Sequence, residues 1–238
     1  MNKHNNIKVI WLGQAQFESL LYKRTLKALG YQTCDIMDSY NNDEIEIWRD
    51  ILLRKQSIDY NLFNGYDALV HPPQTSFYQE LVQKYPDAKF ILEDMNGKVW
   101  QKRYARLATL MKVLFWLRLF KKSRNLLSLI DLTLHFYSGG KTDKITLQNK
   151  WDEFTIDVQK NIPPHRLLLF NKDSEWKPLC DFLGKPIPNV PLPLNNDKKT
   201  INQTIKHVSL SSSKKNHVFI VLYFIVLISL FIYLMFFY

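Results

Sequence analysis

Cysteine is scarce: Cys34 and Cys180 are the only two in 238 residues, and both fall in segments that read as structured. No disulfide framework is implied, and reduced thiols in the cytosol are the plain expectation. The N-terminal stretch MNKHNNIKVIWLG offers only Val9 to Leu12 as an apolar core, too short for a cleaved secretion signal and better read as a strand. Metal-ligand spacings of the zinc type, RNA-recognition aromatics and a helix-turn-helix signature are all missing, so neither a metal nor a nucleic-acid partner is expected. The formal charge of +10 is spread over Lys23/Arg24, Lys102/Arg103/Arg106, Lys121/Lys122/Arg124 and Lys198/Lys199, without one dense block. Such a spread fits a basic face beside an anionic leaflet, or a pocket for a phosphorylated ligand.

What the chain does have is a long apolar run. Val218 to Tyr238 (VFIVLYFIVLISLFIYLMFFY) carries no charge, no Gly and no Pro. A helix of that length spans roughly 31 Å, close to the hydrocarbon thickness of a bilayer. The run reads as a single transmembrane helix; a buried core helix, the alternative, usually carries some polar residues. Lys214 and Lys215 precede it and no charged side chain follows, so the positive-inside bias leaves the N-terminal domain in the cytosol. The expectation is a tail-anchored protein of the endoplasmic reticulum, favoured over the mitochondrial outer membrane. Residues 195–217 are polar and rich in Ser and Lys, a tether with no core-forming pattern. Residues 1–194 then form one domain, a length suited to a single core.

Within that domain strands and helices alternate. Ile7 to Leu12 is a short apolar strand ended by Gly13, and Glu18 to Leu29 is helix-like and stopped by Gly30. Asp43 to Lys55 has acids in its first turn and bases in its last, as a helix dipole favours. Tyr66 to Val70 is a second strand, closed by His71-Pro72-Pro73; Thr75 to Tyr85 reads as a helix and Ala88 to Leu92 as a third strand. Gly97 to Ser138 is helical, with Leu110, Val113, Leu114, Leu117 and Phe120 on one side among basic residues, compatible with an interfacial helix or with two ordinary packed helices. Arg166 to Phe170 is a fourth strand, Glu175 to Phe182 a helix stopped by Gly184, and Pro186 to Leu194 an extended proline-rich wrap. Strands alternating with helices predict a parallel sheet covered on both faces. The tryptophans Trp48, Trp100, Trp116, Trp151 and Trp176 read as core and pocket walls.

Several blocks carry a resemblance. LKALGY at Leu26 to Tyr31, NGYDALVHPP at Asn64 to Pro73, FYQELVQKYPDAKFIL at Phe77 to Leu92, and RLLLFNKDSEWKPLCDFLGKPIPNVPLPLNN at Arg166 to Asn196 are together similar to the P-loop sulfotransferase-like family. The resemblance implies a three-layer α/β fold and transfer of a sulfuryl group from 3′-phosphoadenosine-5′-phosphosulfate (PAPS) to a hydroxyl or amine. It also implies a Gly-containing turn at a helix N-terminus for the phosphosulfate, a basic and hydroxyl pair for the 3′-phosphate, and a base at the mouth of the second strand.

The residues at those places depart from the pattern on the donor side. Where relatives read Gly, two residues, then basic-Thr-Gly-Thr, this chain reads Gly13-Gln14-Ala15-Gln16-Phe17-Glu18-Ser19, so Gln16 replaces the cation and Glu18 the inner glycine. Gly13 and Ser19 are the donor-site candidates left in this loop. After the third strand, Glu93-Asp94-Met95-Asn96-Gly97 stands where relatives place an Arg, with Met95 at the Arg position, and Arg103, near the later Ser position of relatives, is the candidate to meet a phosphate from the other side, unless it lies on a solvated helix face with Lys102 and Arg106. His71 stands at the base position of relatives, ahead of Pro72 and Pro73, the alternative being a strand-end histidine that makes one backbone hydrogen bond. Two functional readings follow: a membrane-anchored sulfotransferase with a rewired PAPS site, or a non-catalytic descendant that keeps the fold as a binding or scaffolding module.

Overall fold

A computed structural model of the chain describes residues 6–13, 19–113, 121–171 and 173–193. Strands β1 (Val9–Leu12), β2 (Thr33–Cys34), β3 (Ala68–Val70), β4 (Lys89–Glu93) and β5 (Leu167–Phe170) form one sheet in the order β2-β3-β1-β4-β5. Every pairing is parallel, with Trp11 opposite both Val70 and Ile91, Leu12 opposite Leu92, and Glu93 opposite Phe170. The central strand β1 is buried along its whole length, which is why it reads as an unbroken apolar run.

Alternate residues face opposite layers. Val9, Trp11, Val70, Ile91 and Phe170 pack beneath helices α1 (Ser19–Ala28) and α8 (Trp176–Leu183). Ile10, Leu12, Leu69, Phe90 and Leu92 meet the larger layer of α2 (Ile36–Asn41), α3 (Ile45–Leu52), α4 (Tyr78–Lys84), α5 (Gly97–Val113), α6 (Lys121–Ser138) and α7 (Lys144–Asn161). Trp48, Trp100, Trp151 and Trp176 are all buried, as expected of core residues. Trp100 and Trp151 stack at 6.1 Å, and the Trp151 indole donates to the Met95 carbonyl at 2.7 Å, tying α7 to the loop after β4. Gly184 adopts φ +66° just past α8, and the Lys185 N–H reaches back to the Cys180 carbonyl at 3.0 Å, a glycine stop of the kind its position predicts.

Three elements exceed the sequence reading: the two-residue edge strand β2, the short helix α2 and the long helix α7. The helix expected from Thr75 begins at Tyr78, because residues 72–77 form turns after His71. The stretch 97–138 holds two helices whose described apolar side chains Leu107, Met111, Leu126, Leu127 and Ile130 lie in the core, as ordinary packing requires. Leu114, Leu117, Phe120 and Trp116 lie outside the described residues. So do the expected tether and the expected transmembrane helix Val218–Tyr238; among the described residues no helix is long and apolar enough to cross a membrane. The proline-rich wrap is anchored, with the Trp176 indole donating to the Val190 carbonyl at 2.7 Å and Leu192 buried against the α1 and α8 layer.

Candidate functional site

All strands of a parallel sheet end at one edge, and the loops leaving that edge can converge on a ligand. Here the connection after β1 runs through α1 to β2 on one side, while the connection after β4 runs through α5, α6 and α7 to β5 on the other. The loops part between β1 and β4, and Gly13, His71 and Glu93 sit at or directly after the ends of β1, β3 and β4.

His71 continues the ladder, its N–H donating to the Trp11 carbonyl at 3.0 Å, and then turns sharply with φ +58°. Left-handed backbone at a non-glycine residue is uncommon and costs of order 1 kcal/mol or more. The turn sends the imidazole inward, where it is fully buried and packs on Tyr22 of α1 with ring centroids 4.5 Å apart. The ring also lies against Gly13: a Cβ placed there would come within 2.6 Å of His71 Nε2. Gly13 is therefore required by close approach, and the structure brings these two predicted site residues together.

Ser19, the first residue of α1, is buried as well. Between it and Gly13 lie Gln16 and Glu18, outside the described residues. One turn further along α1, the Lys23 ammonium lies 3.0 Å from Asp35 Oδ1 and also donates to Asp38 Oδ2. Those carboxylates also start helix α2. Asp35 Oδ1 accepts from the N–H groups of Met37 and Asp38, and Asp38 Oδ2 accepts from the Asp35 N–H, which together make a capping box. Burial opposes the Lys23 charge, but attraction to Asp35 and Asp38 outweighs it and holds the ammonium above its ordinary value. Other polar groups are paired as well, Gln74 donating to Ser39 Oγ at 2.9 Å in a buried pair and the half-buried Tyr137 to Ser76 Oγ at 3.3 Å. Burial pushes the Tyr137 hydroxyl well above its usual range, so it stays protonated.

On the other side, Arg103 reaches from α5 to Glu93, with Nη1 2.6 Å from Oε1 and the side chains only 11% and 2% exposed. Arg103 is thus no member of a solvated helix face. The other Glu93 oxygen, Oε2, is buried with no hydrogen-bond partner among the described residues. Sequence reading singled out both Glu93 and Arg103 but as opposing features. Their ten-residue separation across the end of a strand and the first turns of the next helix was the available signal that they meet.

Lys23 and Arg103, the two described cations buried at this edge, are therefore both held by carboxylates. The phosphates of PAPS call for cations with hydrogen bonds to give. The described residues do not fit that demand: Arg103 already gives a hydrogen bond to Glu93, and Asp94 adds a further acid beside it.

The five-stranded parallel sheet flanked by helices fits a sulfotransferase-type α/β fold, and residues 8–201 match the sulfotransferase domain family, to which the chain belongs. Among characterised proteins it is similar to Ava biosynthesis cluster protein M of Aspergillus versicolor, 25% identical over 214 residues that cover 79% of this chain and 80% of that protein.

Proposed function

We propose that the chain is a non-catalytic sulfotransferase-fold module, used for binding or scaffolding and held at a membrane by the run Val218–Tyr238. The observation that carries this reading is the Arg103–Glu93 pair. A donor phosphate approaching Arg103 either displaces a charge-assisted hydrogen bond worth about 1.5–3 kcal/mol or shares the guanidinium with a carboxylate of its own sign in a poorly solvated space. The net positive charge of +10 favours an anionic leaflet, and Lys214 and Lys215 orient the domain toward the cytosol. The endoplasmic reticulum is the membrane we assign, which protease protection of microsomes carrying the full chain checks.

One observation favours a second reading, sulfuryl transfer from PAPS to a hydroxyl or amine. The His71 imidazole lies against Gly13, the first residue of the loop that holds the donor in relatives, where a base removing the acceptor's proton belongs. In that reading Gly13, Ser19 and Arg103 hold the donor. Calorimetric titration of the detergent-solubilised full chain with adenosine 3′,5′-bisphosphate, the desulfated donor, decides between them. No heat of binding at millimolar ligand is the expected result; micromolar binding overturns the non-catalytic reading.

A further inference from the structure

The proline-rich wrap runs along α8 in the opposite direction, with the Pro186 carbonyl at the Cys180 thiol and the Val190 carbonyl at the Trp176 indole. Leu192, buried against α1 and α8, seats its end. The side chains the wrap presents outward are of the same apolar kind: Ile187 is 59% exposed and Val190 52%, with Pro186 and Pro191 exposed beside them. Residues 186–193 (PIPNVPLP) carry no charge. The charges at α8 and its ends are Glu175, Lys177, Asp181 and Lys185, two of each sign, and Lys177 is already paired with Asp181 at 2.7 Å. A balanced rim around an uncharged apolar strap calls for an apolar occupant rather than an ionic one.

The chain that follows says which. Residues 195–217 are mostly polar and lead to the apolar run Val218–Tyr238. A polar chain of that length has a mean reach of about 25–30 Å. A domain of this size is about 40 Å across. The face on which Leu192 seats the wrap is then the one nearest any bilayer that holds the run, and the layer containing α7, across the sheet, is the far one.

We propose that the wrap is a second lipid contact, Ile187 and Val190 resting in the interfacial region of the bilayer that holds Val218–Tyr238, so that the α8 face is turned toward the membrane. The inference rests on the membrane-held reading above and names the surface that meets the lipid. Two aliphatic side chains would not keep a free domain on a bilayer, but a short tether raises their effective concentration at the surface to about the millimolar range.

The test is fluorescence of the full chain in nanodiscs of zwitterionic lipid, with and without a quenching spin label near the headgroups. Cys34 and Cys180 are buried, so bimane can be placed on single introduced cysteines. The variants are Ile187→Cys and Val190→Cys on the wrap, Ile145→Cys and Ile156→Cys at exposed positions of α7, and Ile220→Cys near the start of the run. The wrap labels should lose about half of their emission or more to the quencher, as a contact seated most of the time requires. The α7 labels should lose little, and the wrap signal should persist in high salt. Ile187→Asp, at an exposed position, should restore most of the emission of the Val190→Cys label. Unquenched wrap labels in a protein whose Ile220→Cys label is quenched, equal quenching on both faces, or quenching that salt abolishes overturns the proposal. An unquenched Ile220→Cys label defeats the membrane-held reading itself, and the proposal with it, so the two failures are distinguishable.

Discussion

Lys23 and Arg103 are both cations buried at the carboxyl edge of one sheet, and both face carboxylates, but their partners are built into the fold in different ways. The partners of Lys23 form the capping box of α2, so its environment and the start of that helix are one structure. Glu93, which pairs with Arg103, ends a strand already held in the sheet on both sides and caps nothing among the described residues. One neutralisation is architectural. The other joins a helix to the end of a strand without capping either among the described residues, and the two should respond differently to mutation.

The largest effect that tests this contrast is expected at Asp35. Asp35→Ala removes a helix cap and half of the charge balance at Lys23, and should lower stability by about 3 kcal/mol in urea unfolding. A cost as small as that of a surface substitution would erase the distinction between the two pairs. Next comes Gly13→Ala, which sets a methyl group against the His71 ring. Overpacking there should cost about 1–3 kcal/mol. Adding His71→Ala should recover part of that cost, a non-additivity that a double-mutant cycle measures; strict additivity would mean the contact is not made.

The smallest effect concerns pH. A lysine held above its ordinary value of 10.5 contributes stability that is complete below that pH and is lost as pH rises through its folded value. Arginine does not deprotonate in this range. The unaltered chain and Lys23→Arg should therefore have urea midpoints that keep a constant difference up to about pH 10 and diverge above it, with the arginine variant the less sensitive. Tyr78 and Tyr85, both pushed up to about 12 chiefly by burial, supply an alkaline loss common to both proteins. Midpoints that stay parallel through about pH 11 would detach Lys23 from the stability of this edge.

Much of the scaffold was readable in the residues, for reasons that also explain the gaps. Strands β1, β3 and β4 are largely buried apolar runs and β5 a partly exposed one, next to glycine, proline or acidic turns, and such runs announce themselves. Strand β2 has two residues, Thr33 and Cys34, too few to show a period. Helix α7 buries Leu147, Trp151 and Val158, with Phe154 half-buried beside them, among otherwise polar or exposed positions, so its stripe is thin, and hydrogen bonds of Trp151, Asp152 and Asp157 help to tie it down. At the site, His71 and Gly13 were each legible from position and type, but that one packs on the other follows from the left-handed turn at residue 71. Lys23 meets Asp35 and Asp38 only after the crossover from β1 to β2, a fold-level event that charge counting along the chain does not reveal.

The clamp made by Trp176, Val190 and Leu192 has a mechanical meaning. Any tension along the chain beyond Pro193 is received first by a buried leucine and an indole hydrogen bond on the α1 and α8 face. Neither belongs to the loops at the sheet edge. A pull on this end of the described domain would load the α1 and α8 layer before it reached the loops around Gly13, His71 and Glu93.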